Sequence, residues 1–190
     1  IFKVKNNMIS YIPNILIVAL LISILFKNKK INKNIFYNFK TPSGRGDSFK
    51  LRTKNKLINF IDESYNSNPL SLKFAINNFN NLDTDISKKK ILLGDMLELG
   101  KHSQYLHDKS MEFINRSNTN KVFVFGKFIA KSFNKIKTQK KGKILHSKID
   151  ILNFIKKDLK NKDYLMVKAS NGTGIFKIMS KIKSKGLNAL

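Results

Sequence analysis

The sequence predicts an α/β protein: a Rossmann-like, mostly parallel sheet with helices on both faces, preceded by a helical stretch of different character. Three observations carry that expectation. Short apolar runs alternate with amphipathic stretches of helical period, the pattern of parallel strands joined by covering helices. Three of those runs end in loops richer in polar and glycine residues than a connector needs, at Asp62 to Pro69, Gly94 to Gly100 and Lys168 to Gly174. A tight turn, Thr41 to Asp47, reads TPSGRGD and separates this alternation from what precedes it, which places a domain boundary near Thr41.

Ile9 to Phe26 is the most apolar segment. Pro13 and Asn14 interrupt its start, leaving a helix from about Asn14 to Phe26, shorter than the ~20 residues that cross a bilayer; a core helix is expected. Lys27 to Lys40 is basic and Asn-rich with Ile31, Ile35 and Phe36 as anchors, as in a linker. Beyond the turn, strands are expected at Ser48 to Leu51 and Leu57 to Ile61, and Leu72, Ala75, Ile76 and Phe79 repeat at helical spacing. A strand at Lys89 to Leu93 leads to a helix over Ser103 to Ser117. Lys121 to Phe125 is a strand closed by Gly126, with a short helix through Phe133 and a strand near Lys143 to His146 behind it. Ser147 and Asp150 form a capping-box pattern that opens a helix over Ile149 to Leu159. Tyr164 to Val167 is the last strand, and Ile175, Ile178, Met179 and Ile182 mark the last helix.

Of the 190 residues, 42% are apolar, enough for one full domain and part of another, which excludes disorder throughout. With no cysteine, disulfide frameworks and thiolate metal sites are excluded. A net charge of +25 points toward an anionic partner. Yet the Lys, Asn and Ile enrichment runs through the whole chain and forms no nucleic-acid module. A basic nucleic-acid-binding α/β module therefore stands as the alternative reading; neither nucleic acid nor membrane insertion is expected.

In a parallel sheet the three loops lie at the carboxyl ends of strands, where ligands bind. In DESYNSNP the carboxylates suit ribose hydroxyls or a metal and the amides a base edge, or else the segment caps a helix. In GDMLELG, Asp95 and Glu98 suit an ammonium group, or else the segment is a turn with Met96, Leu97 and Leu99 packed beneath. His102 and His107, five apart, do not share a helix face, and no histidine metal site is expected. In KASNGTG, Lys168 and the backbone amides suit an anion at a helix N-terminus, or else it is a glycine turn with Thr173 as cap. It lacks the lysine that a Walker A loop needs.

Taken together, DESYNSNP, then GDMLELG with His102, Ser103 and His107, then VKASNG, in this order and at these separations, resemble the C-terminal part of the Mur ligases, in the member that adds D-alanyl-D-alanine to UDP-N-acetylmuramoyl-tripeptide. SGRG resembles the turn that opens their third domain, and Asn14 in YIPNILIVALLISIL resembles the asparagine that begins the last helix of their central ATPase domain. The resemblance implies a division into residues 1–40, the end of the central ATP-binding domain plus a linker, and residues 41–190, the C-terminal domain.

It further implies an ATP-dependent, cytoplasmic amide ligation in peptidoglycan precursor synthesis, running through an acyl phosphate with magnesium neutralising charge. Carried over by position, Arg45 contacts ATP phosphate and is the catalytic candidate, Asn14 lies near adenine, Glu63 meets the ribose and Asn66 lines the nucleotide side. Asp95, Glu98 and Ser170 fall on the amino-acid or peptide side. No metal ligand is assigned in this chain; the resemblance puts the P-loop, the magnesium ligands and the UDP-binding domain in other parts of the enzyme, so the stretch is not expected to turn over without them. The sequence departs from the family pattern at Ser10, where histidine is common, at Glu63 for aspartate, and at Ala169 and Asn171 for the glycine and arginine of the usual KGSR loop.

Overall fold

The computed structural model describes residues 2–4, 11–27, 32–37 and 41–186; Ser10 and Ile31 lie outside them, as does part of the expected linker. The chain divides into two compact units, Ile1–Thr41 and Pro42–Leu190.

In the first unit, helix α1 (Ile12–Leu25) carries Pro13 in its first turn, where the missing N–H costs no hydrogen bond. It buries Ile15 and Ala19, four residues apart on one face, in a small cluster with Phe36, and Phe2, Val4 and Tyr11 pack against that cluster. Phe2 meets Phe36 edge-on at 5.2 Å. The expected core helix differs from this: Leu16, Ile17, Leu20, Leu21, Ile24 and Leu25 are exposed, because the helix is apolar all round and only one narrow face is covered. No described helix is long and apolar enough to cross a membrane.

The second unit is built on a six-stranded sheet in the order β1-β2-β6-β3-β4-β5. The strands are β1 (Asp47–Arg52), β2 (Leu57–Glu63), β3 (Lys89–Gly94), β4 (Lys121–Phe125), β5 (Lys141–Leu145) and β6 (Tyr164–Lys168). β1 runs antiparallel to β2, as a short hairpin allows, and every other pairing is parallel. The helices are α2 (Pro69–Asn80), α3 (Ser103–Arg116), α4 (Lys127–Ser132), α5 (Lys148–Asn153) and α6 (Ile175–Lys185).

The strand period of two sends alternate side chains to opposite faces. Ile91, Leu93, Val122, Val124 and Met166 pack with Leu72, Ile76 and Phe79 of α2, Met111 and Ile114 of α3 and Ile129 of α4. Their neighbours Leu92, Phe123, Leu165 and Val167 pack with Ile151 of α5 and Ile175, Ile178, Met179 and Ile182 of α6. A sheet buried on both faces must have nearly continuous apolar strands, which is what the short apolar runs were.

Caps explain two boundaries. The Asn68 side chain accepts from the Ser71 N–H at 2.8 Å while the Ser71 hydroxyl accepts from the Asn68 N–H at 3.0 Å, opening α2. Ser147 and Asp150 exchange the same pair of bonds at α5, as their spacing indicates. α5 ends sooner than expected, at Asn153, and residues 154–158 form one wider turn. The Lys56 ammonium donates to the carbonyls of Lys156 and Leu159 at 2.6 and 2.7 Å, supplying partners at that irregular end.

Candidate functional site

Three adjacent parallel strands, β2, β6 and β3, release their loops at the same edge of the sheet. Those loops are bonded to one another. The Asn171 N–H donates to the Tyr65 carbonyl at 3.1 Å, and the Ser170 N–H to the Asp95 carbonyl at 3.1 Å. The Ser170 hydroxyl accepts from the Leu97 N–H at 2.9 Å and lies 3.3 Å from the Ser67 carbonyl. One buried serine thus ties all three loops into one rim.

The turn before β1 joins the same rim. Gly44 and Gly46 hold φ of 75° and 90°, which only glycine adopts without cost, and a Cβ on Gly44 would lie 2.7 Å from the Phe176 ring. The Gly46 N–H donates to the Asp62 carbonyl at 2.8 Å and the Tyr65 N–H to the Gly44 carbonyl at 3.0 Å. Between them Arg45 is exposed, with its guanidinium 4.6 Å from the centre of the Tyr65 ring. That is stacking distance for a cation on an aromatic face.

Beneath Arg45 lie the carboxylates of β2. Asp62 is fully buried; its Oδ1 accepts from the Ser64 N–H at 3.0 Å and its Oδ2 meets no partner. Burial pushes its carboxyl above the usual range, against the pull of the Ser64 bonds. Glu63 is pushed up as well, chiefly by burial, with the Lys168 charge opposing. Its side chain keeps 22% of its surface exposed, and its Oε2 lies 3.8 Å from Lys168 Nζ.

The sequence-predicted residues divide by what holds them. Arg45, Glu63, Asn66 and Ser170 meet at the rim, Asn66 and Arg45 on its exposed side. Asp95 is also there, but its Oδ2 and Oδ1 accept from the N–H groups of Lys127 and Ile129, both at 2.8 Å, at the start of α4. A Cβ on Gly126 would fall 2.5 Å from that carboxyl carbon, so the close approach needs the glycine. Glu98 is exposed, at φ 64°. Asn14 is exposed on α1, in the first unit.

Lys168 differs from its expected part. Its ammonium donates to the Asn66 carbonyl and lies 3.5 Å from that of Glu63, rather than standing open to an anion. His107 is fully buried, accepting the Met96 N–H on Nε2 at 2.9 Å, with Nδ1 2.6 Å from the Ser103 carbonyl. It thereby props the loop after β3. Tyr65 was overlooked as the platform under Arg45, although a tyrosine between two polar residues at a strand's end is the available signal. Among the described residues no cluster of three His, Asp or Glu side chains is placed to hold a metal ion.

A mostly parallel sheet covered on both faces, with a basic and acidic rim at the carboxyl ends of its central strands, defines a Rossmann-like α/β domain. The chain is 32% identical over 130 residues to the UDP-N-acetylmuramoyl-tripeptide–D-alanyl-D-alanine ligase of Bacillus subtilis and 24% identical over 162 residues to that of Rickettsia prowazekii, matches that cover 66% and 85% of this chain. These matches are consistent with the C-terminal part of the Mur ligase family. The chain spans 28% and 35% of the length of those two relatives. No family model matches the sequence. Among solved structures, the MurF ligase of Thermotoga maritima in complex with ADP aligns over 90% of this chain and 38% of its own, with a TM-score of 0.66 at 23% identity. MurF of Acinetobacter baumannii gives 0.66 at 18% identity over 88% and 36%. At these identities the likeness establishes the fold.

Proposed function

We propose that this chain supplies the C-terminal part of a cytoplasmic, ATP-dependent ligase that joins D-alanyl-D-alanine to UDP-N-acetylmuramoyl-tripeptide. The observation that carries this reading is the single rim on which Arg45, Glu63, Asn66 and Ser170 meet, in a chain whose relatives bear that enzyme's name. In the reaction the terminal carboxylate of the tripeptide takes the γ-phosphoryl group of ATP, and the amine of D-alanyl-D-alanine displaces phosphate from the acyl phosphate, leaving ADP and phosphate. Residues 1–40 are read as the end of the central domain with its linker and 41–190 as the C-terminal domain. Asn14 is assigned to the adenine side.

The rim's own chemistry suits the nucleotide. A guanidinium presents several donors to phosphate oxygens, and a carboxylate accepts from both hydroxyls of a ribose. Arg45, braced on Tyr65, takes the phosphate end and Glu63 the ribose, with Asn66 beside it. Ser170, with Asp95 and Glu98, is assigned to the amino-acid or peptide side; for Asp95 that part is indirect, through the start of α4. Among the described residues no group of three His, Asp or Glu side chains is placed to hold magnesium.

Joining this chain to the remaining domains of a full-length relative gives the test. Arg45→Ala in that enzyme is expected to lower ATP-dependent ligation by at least about tenfold, the loss of one charged contact to a phosphoryl group. Unchanged turnover and an unchanged KM for ATP would remove Arg45 from this role.

A further inference from the structure

We propose that Lys168 is a positioning residue of this rim, whose ammonium fixes the loop after β2 and keeps the Glu63 carboxylate charged toward the ribose. The inference rests on the reading that Glu63 meets the ribose. It begins from register: Glu63 and Lys168 are paired neighbours at the ends of β2 and β6, so their side chains leave the sheet together. Lys168 is 1% exposed, among the most deeply buried large side chains in the chain. A buried ammonium persists only where acceptors replace water. Here they all come from one loop: the Asn66 carbonyl, the Glu63 carbonyl at 3.5 Å and the Glu63 Oε2 at 3.8 Å. A lysine with no structural duty at this place would carry its ammonium into solvent, as the rim is open beside it at Asn66 and Tyr65.

The consequence for binding follows from the acceptor's chemistry. A carboxyl group accepts most strongly, and with both oxygens equally, when ionised, because the protonated form turns one oxygen into a donor. Burial favours the neutral form of Glu63, and the neighbouring carboxylates of Asp62 and Asp47 push the same way. Lys168 is the leading opposing influence, ahead of Arg45. Asp47 is itself held by the Gly44 N–H at 2.6 Å and by Lys183, and Lys168 lies within ion-pair distance of the Glu63 carboxylate. Lys168 in turn is drawn toward its neutral form by burial and by the Arg45 charge, and toward its cation by Glu63. Each member of the pair thus favours the charged form of the other, against the pull of burial.

The experiment follows the Glu63 side-chain carboxyl by carbon-detected NMR titration in the 190-residue chain, with ADP as the added probe. Lys168→Met is expected to raise the Glu63 midpoint, and Lys168→Arg to bring it back toward wild type by restoring the charge. ADP affinity in Lys168→Met is expected to fall several-fold between pH 8 and pH 6, more steeply than in wild type, and Glu63→Gln is expected to flatten that dependence in either background. A folded Lys168→Met protein with an unmoved Glu63 midpoint overturns the inference, whatever ADP does. A moved midpoint with no ADP response at Glu63 in wild type overturns the ribose assignment instead. Should Lys168→Met not fold, Glu63→Gln carries the test: the Lys168 ammonium is then expected to titrate at lower pH, and no movement overturns the pairing.

Discussion

Both edges of the sheet bury a lysine against a carboxylate, Lys90 with Asp163 at the amino edge and Lys168 with Glu63 at the carboxyl edge, and they differ in what surrounds it. At the amino edge, lysines beside the strand starts donate to backbone carbonyls: Lys56 to Lys156 and Leu159, Lys89 to Asn80 and Leu82 at 2.8 Å each, Lys121 to Lys141 at 3.0 Å, and Lys140 to Ser117. Several of these carbonyls close helices, whose last turns lack intrahelical partners and favour a cation. At the carboxyl edge one lysine, Lys168, is buried against a carboxylate, beside an exposed arginine. Part of the +25 net charge is therefore structural.

Asp95→Ala should break that comparison most severely. It leaves the Lys127 and Ile129 N–H groups without their acceptor and should cost about 3 kcal/mol in denaturant unfolding. Amide exchange should accelerate at the start of α4 and leave the β1-β2 hairpin unchanged. Lys89→Met tests the amino edge: losing two charge-assisted bonds at the end of α2 should cost about 2 kcal/mol without altering ADP affinity. A change in ADP affinity there would blur the division between edges. Ser147→Ala, removing one cap of α5, should cost about 1 kcal/mol and nothing at the rim.

The smallest effect is a slope. The folded state holds the Asp62 carboxyl above its unfolded value, so Asp62 supports folding while protonated, below about pH 4, and that support is lost as pH rises through the folded pKa. Asp62→Asn does not ionise. Its stability relative to wild type should therefore increase as pH is raised from 4 to 7, read from unfolding curves at each pH; a constant difference would mean that Asp62 titrates as in the unfolded chain.

Much of the fold was legible because its rules are local. Apolar runs gave β2, β3, β4 and β6, and the cap at Ser147 follows from spacing alone. β5 begins two residues before its expected start because Lys141 and Gly142 look polar, while Gly142 is needed where a Cβ would sit 2.8 Å from the Val122 carbonyl. α1 is exposed on all but one narrow face, and hydropathy alone does not say whether a covering surface is present. The site was legible as far as the loops, since parallel strands deliver them to one edge; Arg45, Glu63, Asn66 and Ser170 came from the resemblance to the Mur ligases. What bonds to what was not legible. Lys168 meets Glu63 across 105 residues, and Asp95 meets Ile129 across 34, distances over which no pattern of spacing informs.

The central claim, that the carboxyl edge of the sheet and not its amino edge faces the nucleotide, is tested most directly by titrating ADP into the isotopically labelled 190-residue chain and mapping the amide shifts. Within the second unit the account predicts shifts confined to Arg45, residues 63–67 and residues 169–172, with Lys56, Lys89 and Lys140 unmoved. Shifts concentrated at those amino-edge lysines would contradict it.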